Sequence, residues 1–351
     1  MTDMLQLVIL LTLLALLSWW LTGRIRRYAI AKKLIDIPNE RSSHTIPTPR
    51  GGGLSVVISF LIAIGLLLFA EQIALQTFWA IAVGGCIVAA VGFWDDQDHV
   101  SPLIRIVAHS IAIIWMLFWL GGVAPLLPAG MSSIMVWLGN LLALISLVWL
   151  LNLYNFMDGI DGIASIEAMS VLTGAVLILL SSGLSAGEIP WNLLLLLLCL
   201  IACVSGFLCW NWPPAKIFMG DAGSGFLGFM LGAMAMVTSL SHLISIWCWV
   251  ILLAVFIADA TFTLMRRFLA GKRWYEAHRS HAYQHLAIKI GKHAPVTLLT
   301  LLINVGWLLP IAYFANQSPQ PPFALTLLAY APLLIAAHFL KAGSEPPFTA
   351  P

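Results

Sequence analysis

Apolar runs of about 20 residues, the length that crosses the hydrocarbon core of a bilayer, recur along this chain with short polar breaks between them. The pattern predicts eleven spans, near 4–22, 52–70, 77–94, 103–121, 133–152, 163–182, 191–211, 223–240, 243–264, 296–314 and 323–340. A helix satisfies its own backbone in lipid. The expected fold is therefore an all-α polytopic integral membrane protein with about eleven transmembrane helices. Residues 1–351 form one multi-span domain, with final spans and a short tail in 291–351, and no repeat period is evident.

Composition sharpens this reading. The chain is 61% hydrophobic and 9% charged, with a mean hydropathy of +0.96. Soluble domains carry about 25% charged residues, so that class is excluded. The net charge of +2 says less than where the charges lie. With the N-terminus placed outside and the spans alternating, the first inner segment holds Arg24, Arg26, Arg27, Lys32, Lys33, Arg41 and Arg50. Arg105 and Lys216 fall in the next two. Arg266, Arg267, Lys272, Arg273, Arg279, Lys289 and Lys292 fall in the long last one, and Lys341 in the tail. All 17 Lys and Arg are then on the inner side, as the positive-inside rule requires. Of the acids only Asp3, Glu71 and Glu188 are placed outside. The first run lacks a basic leading segment, so it reads as a retained span rather than a signal peptide. The five Cys all lie in spans and form no CxxC pair, which points to packing rather than to a disulfide or zinc framework.

The polar residues are sorted just as strongly. Outer loops are short and bland, whereas five inner segments carry most of the chemistry: RSSHTIPTPRGGG, WDDQDHVSP, NFMDGIDG, NWPPAKIFMGDAGSG and the stretch 266–293. A transporter more typically places polar groups at the midplane on broken helices. Polar groups gathered at one face suggest an enzyme whose substrate is shared between membrane and cytosol.

Asp95 and Asp96 leave the third span about 100° apart on a helix end, so both can reach a cation; a solvated polar cap is the alternative. Asn155, Asp158 and Asp161 follow i, i+3, i+6 and would form one polar stripe if helical. Gly159 and Gly162 beside them leave room for a ligand or another backbone, and a plain turn is the alternative. Asp221 opens the eighth span among Gly220, Gly223, Ser224 and Gly225. Backbone N–H groups at a helix start favour phosphate, and an Asp among them favours a hard cation, Mg²⁺ before Ca²⁺. An N-cap followed by helix-packing glycines is the plainer reading. Arg50 before three glycines could cradle a phosphate or anchor the interface. His278, His281 and His285 have chelating spacing but no completing acid or Cys, so with Arg279 they read as diphosphate donors rather than as a zinc site. The neighbouring Arg266, Arg267, Lys272 and Arg273 suit anionic headgroups. Asp259, inside the ninth span, is either functional or a structural partner for a cation.

Clustered acids, basic groups and glycine turns are what phosphoryl transfer uses: a metal to neutralise oxygens, cations to clamp them, and alignment of nucleophile and leaving group. The membrane setting makes one substrate a lipid, and a nucleotide diphosphate donor would come from the cytosol. At this point NFMDGIDGIA, the Asp pair at a helix end, MGDAGS, PTPRGGG and the His-bearing last loop resemble the polyprenyl-phosphate N-acetylhexosamine-1-phosphate transferases of the MraY/WecA type, glycosyltransferase family 4. The resemblance runs in order from about residue 36 to 290. It implies transfer of an N-acetylhexosamine-1-phosphate from a UDP-N-acetylhexosamine to undecaprenyl phosphate, releasing UMP, with Mg²⁺ as cofactor and Mn²⁺ as a substitute.

By motif position it implies Asp221 as a metal ligand, with Asp96 beside the metal and Asp95 the candidate base. Asn155 and Asp158 would hold nucleotide or metal, Asp161 would support them, and His281 would contact the diphosphate. Arg50, Arg105, Lys216, His278 and Arg279 complete the expected substrate-binding set. A phosphate monoester is already largely ionised at neutral pH, which favours direct attack by the lipid phosphate over an enzyme intermediate.

HAYQ at 281–284 departs from the HIHH or HHH of many members, and Gln97, Asp98 and His99 stand where many carry a Lys soon after the Asp pair. VSPLIR and SHAYQ look most like the O-antigen-initiating WbpL-like branch, which uses 6-deoxy sugars such as N-acetylfucosamine or N-acetylquinovosamine. The implied location is the bacterial inner membrane with the site facing the cytoplasm. The implied partners are the lipid, the donor, membrane lipids and a second copy in a homodimer, with no nucleic acid. The rival readings are a lipid-linked sugar flippase or ion-coupled transporter, which would want ionisable groups at mid-span, and a non-catalytic scaffold, in which the acids would be dispensable.

Overall fold

A computed structural model of the chain describes residues 2–38, 46–98, 100–186, 189–272 and 278–345; Arg41, His99, Glu188 and Arg273 lie outside them. The chain begins with helix α1 (Thr2–Ala31), then a two-residue antiparallel pair, β1 (Ile35–Asp36) and β2 (Thr48–Pro49), with Ile35 opposite Pro49. Then come α2 (Leu54–Phe69), α3 (Leu75–Gln97), α4 (Pro102–Leu120), α5 (Ser133–Met157), α6 (Ile163–Ala186), α7 (Trp191–Asn211) and α8 (Asp221–Leu240). The last part contains α9 (Ile246–Leu252), α10 (Ala254–Leu269), α11 (Ala282–Ile290), α12 (Ala294–Ile303), α13 (Leu309–Asn316) and α14 (Phe323–Phe339). A π-helical turn, Asn304–Leu308, joins α12 to α13.

Every one of the eleven apolar runs is helical, so the all-α membrane class holds. The expected number of spans does not follow with it. Among the described residues eight helices are long and apolar enough to cross a bilayer, and nine if α9 and α10 count as one. Those two meet at a 71° bend, so the expected ninth span is broken at Leu253. Helices α2 and α14, with 16 and 17 residues, reach only about 25 Å at 1.5 Å per residue, short of a 30 Å hydrocarbon core.

The apolar residues divide between an inner core and a lipid-facing belt. Helix α8 lies at the centre, with Phe226, Phe229, Met230 and Leu231 fully buried. It packs on α3 and α5 above all, and on α2, α6 and α7. On the rim, Leu13, Leu16 and Trp20 of α1, Ile111 and Phe118 of α4, and Leu141, Leu142 and Ile145 of α5 are exposed. A belt of this size suits lipid, not water. Local signals set the helix ends. In α4, the Ser101 side chain accepts the Ile104 N–H, Pro102 starts the helix, and Gly121 closes it in the left-handed region.

Candidate active site

Three helix ends meet at one end of the bundle: the C-terminal turn of α3, the end of α5 and the start of α8. Asp95 and Asp96 are still within α3, and they diverge as their helical offset requires. Asp96 turns to α8, where its two oxygens accept the N–H groups of Asp221 and Ala222 at 3.0 and 3.2 Å. It therefore caps α8 and meets the positive end of its dipole. Asp95 turns to α4, accepting the Val100 N–H at 2.8 Å and pairing with Arg105 Nη1 at 2.6 Å. The same Nη1 lies 3.4 Å from Asp221 Oδ2, so one guanidinium nitrogen serves two carboxylates.

Close backbone approach makes this possible. Gly220 has φ +77°, and a Cβ there would sit 2.6 Å from Asp96 Oδ2. A Cβ on Gly53 would meet the Gly223 Cα at 2.5 Å. The Gly52 and Gly53 N–H groups donate to the Phe218 and Met219 carbonyls at 2.9 and 2.8 Å, and the Phe218 N–H donates to Pro49. Gly52 and Gly53 of PTPRGGG thus let this segment pair with the one before Asp221, while Gly51, at φ +92° with open space where a Cβ would stand, lines a cavity with Arg50 and Asp96. Arg50 in the same segment is only partly buried. It donates from Nη2 to the Asp96 carbonyl, with Nε 4.0 Å from Asp96 Oδ1.

The expected stripe of Asn155, Asp158 and Asp161 is not one helical face. Helix α5 ends at Met157, and Asp158 is its C-cap with φ −82° and ψ 55°. Gly162 follows with φ +74°, a left-handed residue that turns the chain into α6. The three side chains consequently do different things. Asn155 Oδ1 accepts from Ser224 Oγ at 2.9 Å, tying α5 to α8. Asp161 Oδ2 accepts the Ala215 N–H at 3.0 Å, and its Oδ1 lies 3.2 Å from His293 Nδ1. Asp161 so holds the turn to the loop before α8 and to the start of α12. Asp158 lies within electrostatic reach of the other acids. Burial first, then the Asp221, Asp96 and Asp161 carboxyls, push its carboxyl well above the usual range.

The last inner segment is helical in part, which its sequence did not suggest. Asp259 of α10 reaches the start of α11, accepting the Ala282 and Tyr283 N–H groups at 2.9 and 3.0 Å and the Thr263 hydroxyl at 3.1 Å. His281 is the N-cap residue, buried, with Nδ1 3.4 Å from Asp259 Oδ1. The ring of His278 stacks on that of His281 with centroids 4.9 Å apart. Burial, then His281 and Arg267, depress the pKa of His278 to about 3, so it is neutral at physiological pH. Its Nε2 and Arg279 Nε are buried without a partner among the described residues. Tyr283 donates to the Phe156 carbonyl at 3.3 Å and fills the space beside Gly159 that the sequence left for a ligand. His285 leaves the histidine group, since its Nδ1 lies 2.8 Å from the Leu340 carbonyl.

Lys216 is not brought to the acids. Its ammonium lies over the Trp210 ring, 5.6 Å from the centroid, on the side where α1 packs against α7. Arg50, Asp95, Asp96, Arg105 and Asp221 form one network through their contacts, and Asn155 reaches it through Ser224. His278, Arg279 and His281 border the same end through Tyr283 and Phe156.

The acids fit a magnesium ion better than a caged metal. Among the described residues no three His, Cys, Asp or Glu side chains are set as a ready metal cage. Magnesium keeps much of its water and takes one or two carboxylates, with phosphate oxygens supplying the rest. Asp95 and Asp221, sharing a single Arg105 nitrogen, form such an oxygen-only, under-neutralised pair. Asp221 is the more open, with a side chain 35% exposed against 7% for Asp95.

Comparison with known proteins finds the same stretch. The family model described as glycosyl transferase family 4 matches residues 78–239, from α3 to α8. A probable undecaprenyl-phosphate N-acetylglucosaminyl 1-phosphate transferase of Bacillus subtilis is 29% identical over 318 residues, 85% of this chain and 81% of its own. A decaprenyl-phosphate N-acetylglucosaminephosphotransferase of Mycolicibacterium smegmatis is 29% identical, covering 83% of this chain and 78% of its own. A phospho-N-acetylmuramoyl-pentapeptide-transferase of a Synechococcus species is 29% identical, covering 73% and 70%. The chain is thus similar to glycosyl transferase family 4 through its central helices, and to these transferases over most of its length.

Proposed function

We propose that this protein transfers an N-acetylhexosamine-1-phosphate from a UDP-sugar to undecaprenyl phosphate, releasing UMP, at the cytoplasmic face of a bacterial inner membrane. The observation that carries the proposal is the meeting of Asp95, Asp96, Asp158 and Asp221 at one end of the bundle, with Arg105 shared between two of them. Four carboxyls held this close are costly unless a cation joins them. The relatives named as polyprenyl-phosphate sugar-phosphate transferases support the same chemistry.

Asp221 is the proposed ligand for Mg²⁺, with Asn155 and Asp158 beside it. Bound Mg²⁺ would neutralise phosphate oxygens as the bond to UMP breaks. Asp96 acts here as a positioning residue, since both its oxygens are spent on the start of α8. Asp95 and Arg105 lie where the lipid phosphate would approach, and Arg105 offers it a second cation. Direct attack by that phosphate, with Arg279 and His281 on the donor diphosphate, needs no enzyme intermediate. The donor we propose is a UDP-N-acetylhexosamine, either N-acetylglucosamine or a 6-deoxy sugar such as N-acetylfucosamine or N-acetylquinovosamine. In the 6-deoxy case the product would start an O-antigen chain of lipopolysaccharide.

The test mixes purified protein, undecaprenyl phosphate, Mg²⁺ and each UDP-sugar in turn, and measures UMP. One donor is expected to release UMP, with EDTA stopping the reaction and Mg²⁺ or Mn²⁺ restoring it. Asp221→Asn is expected to lower the rate about 10³-fold in a protein that still folds. Silence with every donor, or an Asp221→Asn variant of unchanged rate, would sink the proposal.

A further inference from the structure

The chain beyond α14 returns to the segment that carries Arg279 and His281. After Phe339 the backbone turns through two left-handed residues, Lys341 at φ +57° and Gly343 at φ +84°. The Gly343 N–H donates to the Ser280 carbonyl at 2.7 Å. Arg266 Nη1 of α10 donates to the Ala342 carbonyl at 3.1 Å. His285 Nδ1 meets the Leu340 carbonyl at 2.8 Å, so this nitrogen carries the proton. Ala282, Ala337 and Ala342 are buried together against Phe262 and Leu340. At the far end Lys272 pairs with Glu345 at 2.6 Å, but both side chains are well exposed and the pair adds little.

The 278–281 segment is thereby gripped from two directions. Asp259 holds the N–H groups just after it, and residues 340–343 hold the Ser280 carbonyl within it. Among the described residues Arg279 Nε and His278 Nε2 of this segment are buried without a partner. Such groups cost free energy unless a ligand completes them. A backbone fixed on both sides keeps them in place without further ordering when a ligand arrives.

We propose that residues 340–345 are a brace whose task is to fix the Arg279–His281 segment for a phosphate-bearing nucleotide donor. The proposal rests on the transferase reading, and it places part of the donor affinity in residues that touch no substrate. Gly343 is the sensitive point. A Cβ there would lie 2.9 Å from Arg266 Cβ and 3.1 Å from the Thr263 carbonyl, on a backbone that side chains avoid.

The test compares wild type with Gly343→Ala, His285→Ala, His285→Asn and Glu345→Gln, by steady-state kinetics and by amide hydrogen exchange. Gly343→Ala and His285→Ala are expected to raise KM for the UDP-sugar about tenfold. They should leave kcat and KM for undecaprenyl phosphate within about twofold. Exchange should quicken in 278–285 and not in 219–224. His285→Asn keeps a donor for Leu340 and should restore most of the loss, and Glu345→Gln should behave as wild type. Unchanged KM and unchanged exchange in both disruptive variants overturn the brace. So does a uniform fall in kcat with exchange rising everywhere, which would mark a purely structural contact. Wild-type protein that releases no UMP defeats the transferase reading instead, and the exchange arm then still decides whether the brace exists.

Discussion

Asp259 inside α10 and Asp158 at the end of α5 are both acids on apolar helices, and the structure treats them oppositely. Asp259 receives two backbone N–H groups, a threonine hydroxyl and the edge of His281. Its charge is spent holding α10 to α11. Among the described residues Asp158 receives no comparable set, and the charges of Asp221, Asp96 and Asp161 instead add to burial in raising its pKa. A carboxylate surrounded by donors is scaffold, whereas one surrounded by carboxylates waits for a cation. This contrast separates site from support better than burial does, because neither acid is exposed.

The largest effect expected from breaking the contrast is on the satisfied side. Asp259→Ala strands two backbone N–H groups at the start of α11 and removes the partner of His281. Removing one member of a buried, hydrogen-bonded charge group costs about 3 kcal/mol. The variant should melt well below wild type in detergent, and lose UMP release as α11 and His281 detach. A melting temperature close to that of wild type would mean that Asp259 is not the clamp described.

A smaller effect of opposite sign is expected on the crowded side. Asp158 has a raised carboxyl pKa in the folded protein, while the unfolded chain ionises near 4. As pH rises above that value the unfolded chain gives up its proton first. Without a divalent cation, stability is thus greatest at low pH and is lost as pH climbs through the raised folded value. Asp158→Asn cannot ionise. In EDTA it should gain more stability over wild type at about pH 8 than at about pH 5, while losing activity. Parallel pH profiles for the two proteins would contradict the crowding.

How far these roles could be read from the sequence depends on the distance over which each is set. The helices were legible because apolar runs record local burial in lipid. The α9–α10 break was not, since its two halves form one unbroken apolar run. Acidic motifs marked the site, but the division of labour within them arises from partners far along the chain. Asp96 caps a helix 125 residues later, and Asp161 meets His293, 132 residues on. Gly159 looked like room for a ligand until Tyr283 filled it. Glu167 carried a signal that went unused, an acid one turn inside an apolar helix. It is fully buried, with Oε2 accepting from Asn304 of the π-helical turn at 2.6 Å and Oε1 without a partner among the described residues, so it is less completely satisfied than Asp259.

The smallest effect concerns two cations that the sequence treated alike. Each is the single basic residue of a short inner loop that the sequence predicts, yet of the two only Arg105, in the first turn of α4, touches the acids, while Lys216 is exposed and lies over Trp210. An exposed cation–π contact contributes about 0.5–1 kcal/mol. Lys216→Ala should therefore trim stability slightly and leave UMP release within about twofold of wild type. Arg105→Ala leaves Asp95 and Asp221 with no shared cation and should be far more damaging. If Lys216→Ala proved as damaging as Arg105→Ala, the ammonium would have to leave Trp210 and reach the donor during turnover. The site would then extend towards α1 and α7, and the line drawn here between scaffold and site would have to move with it.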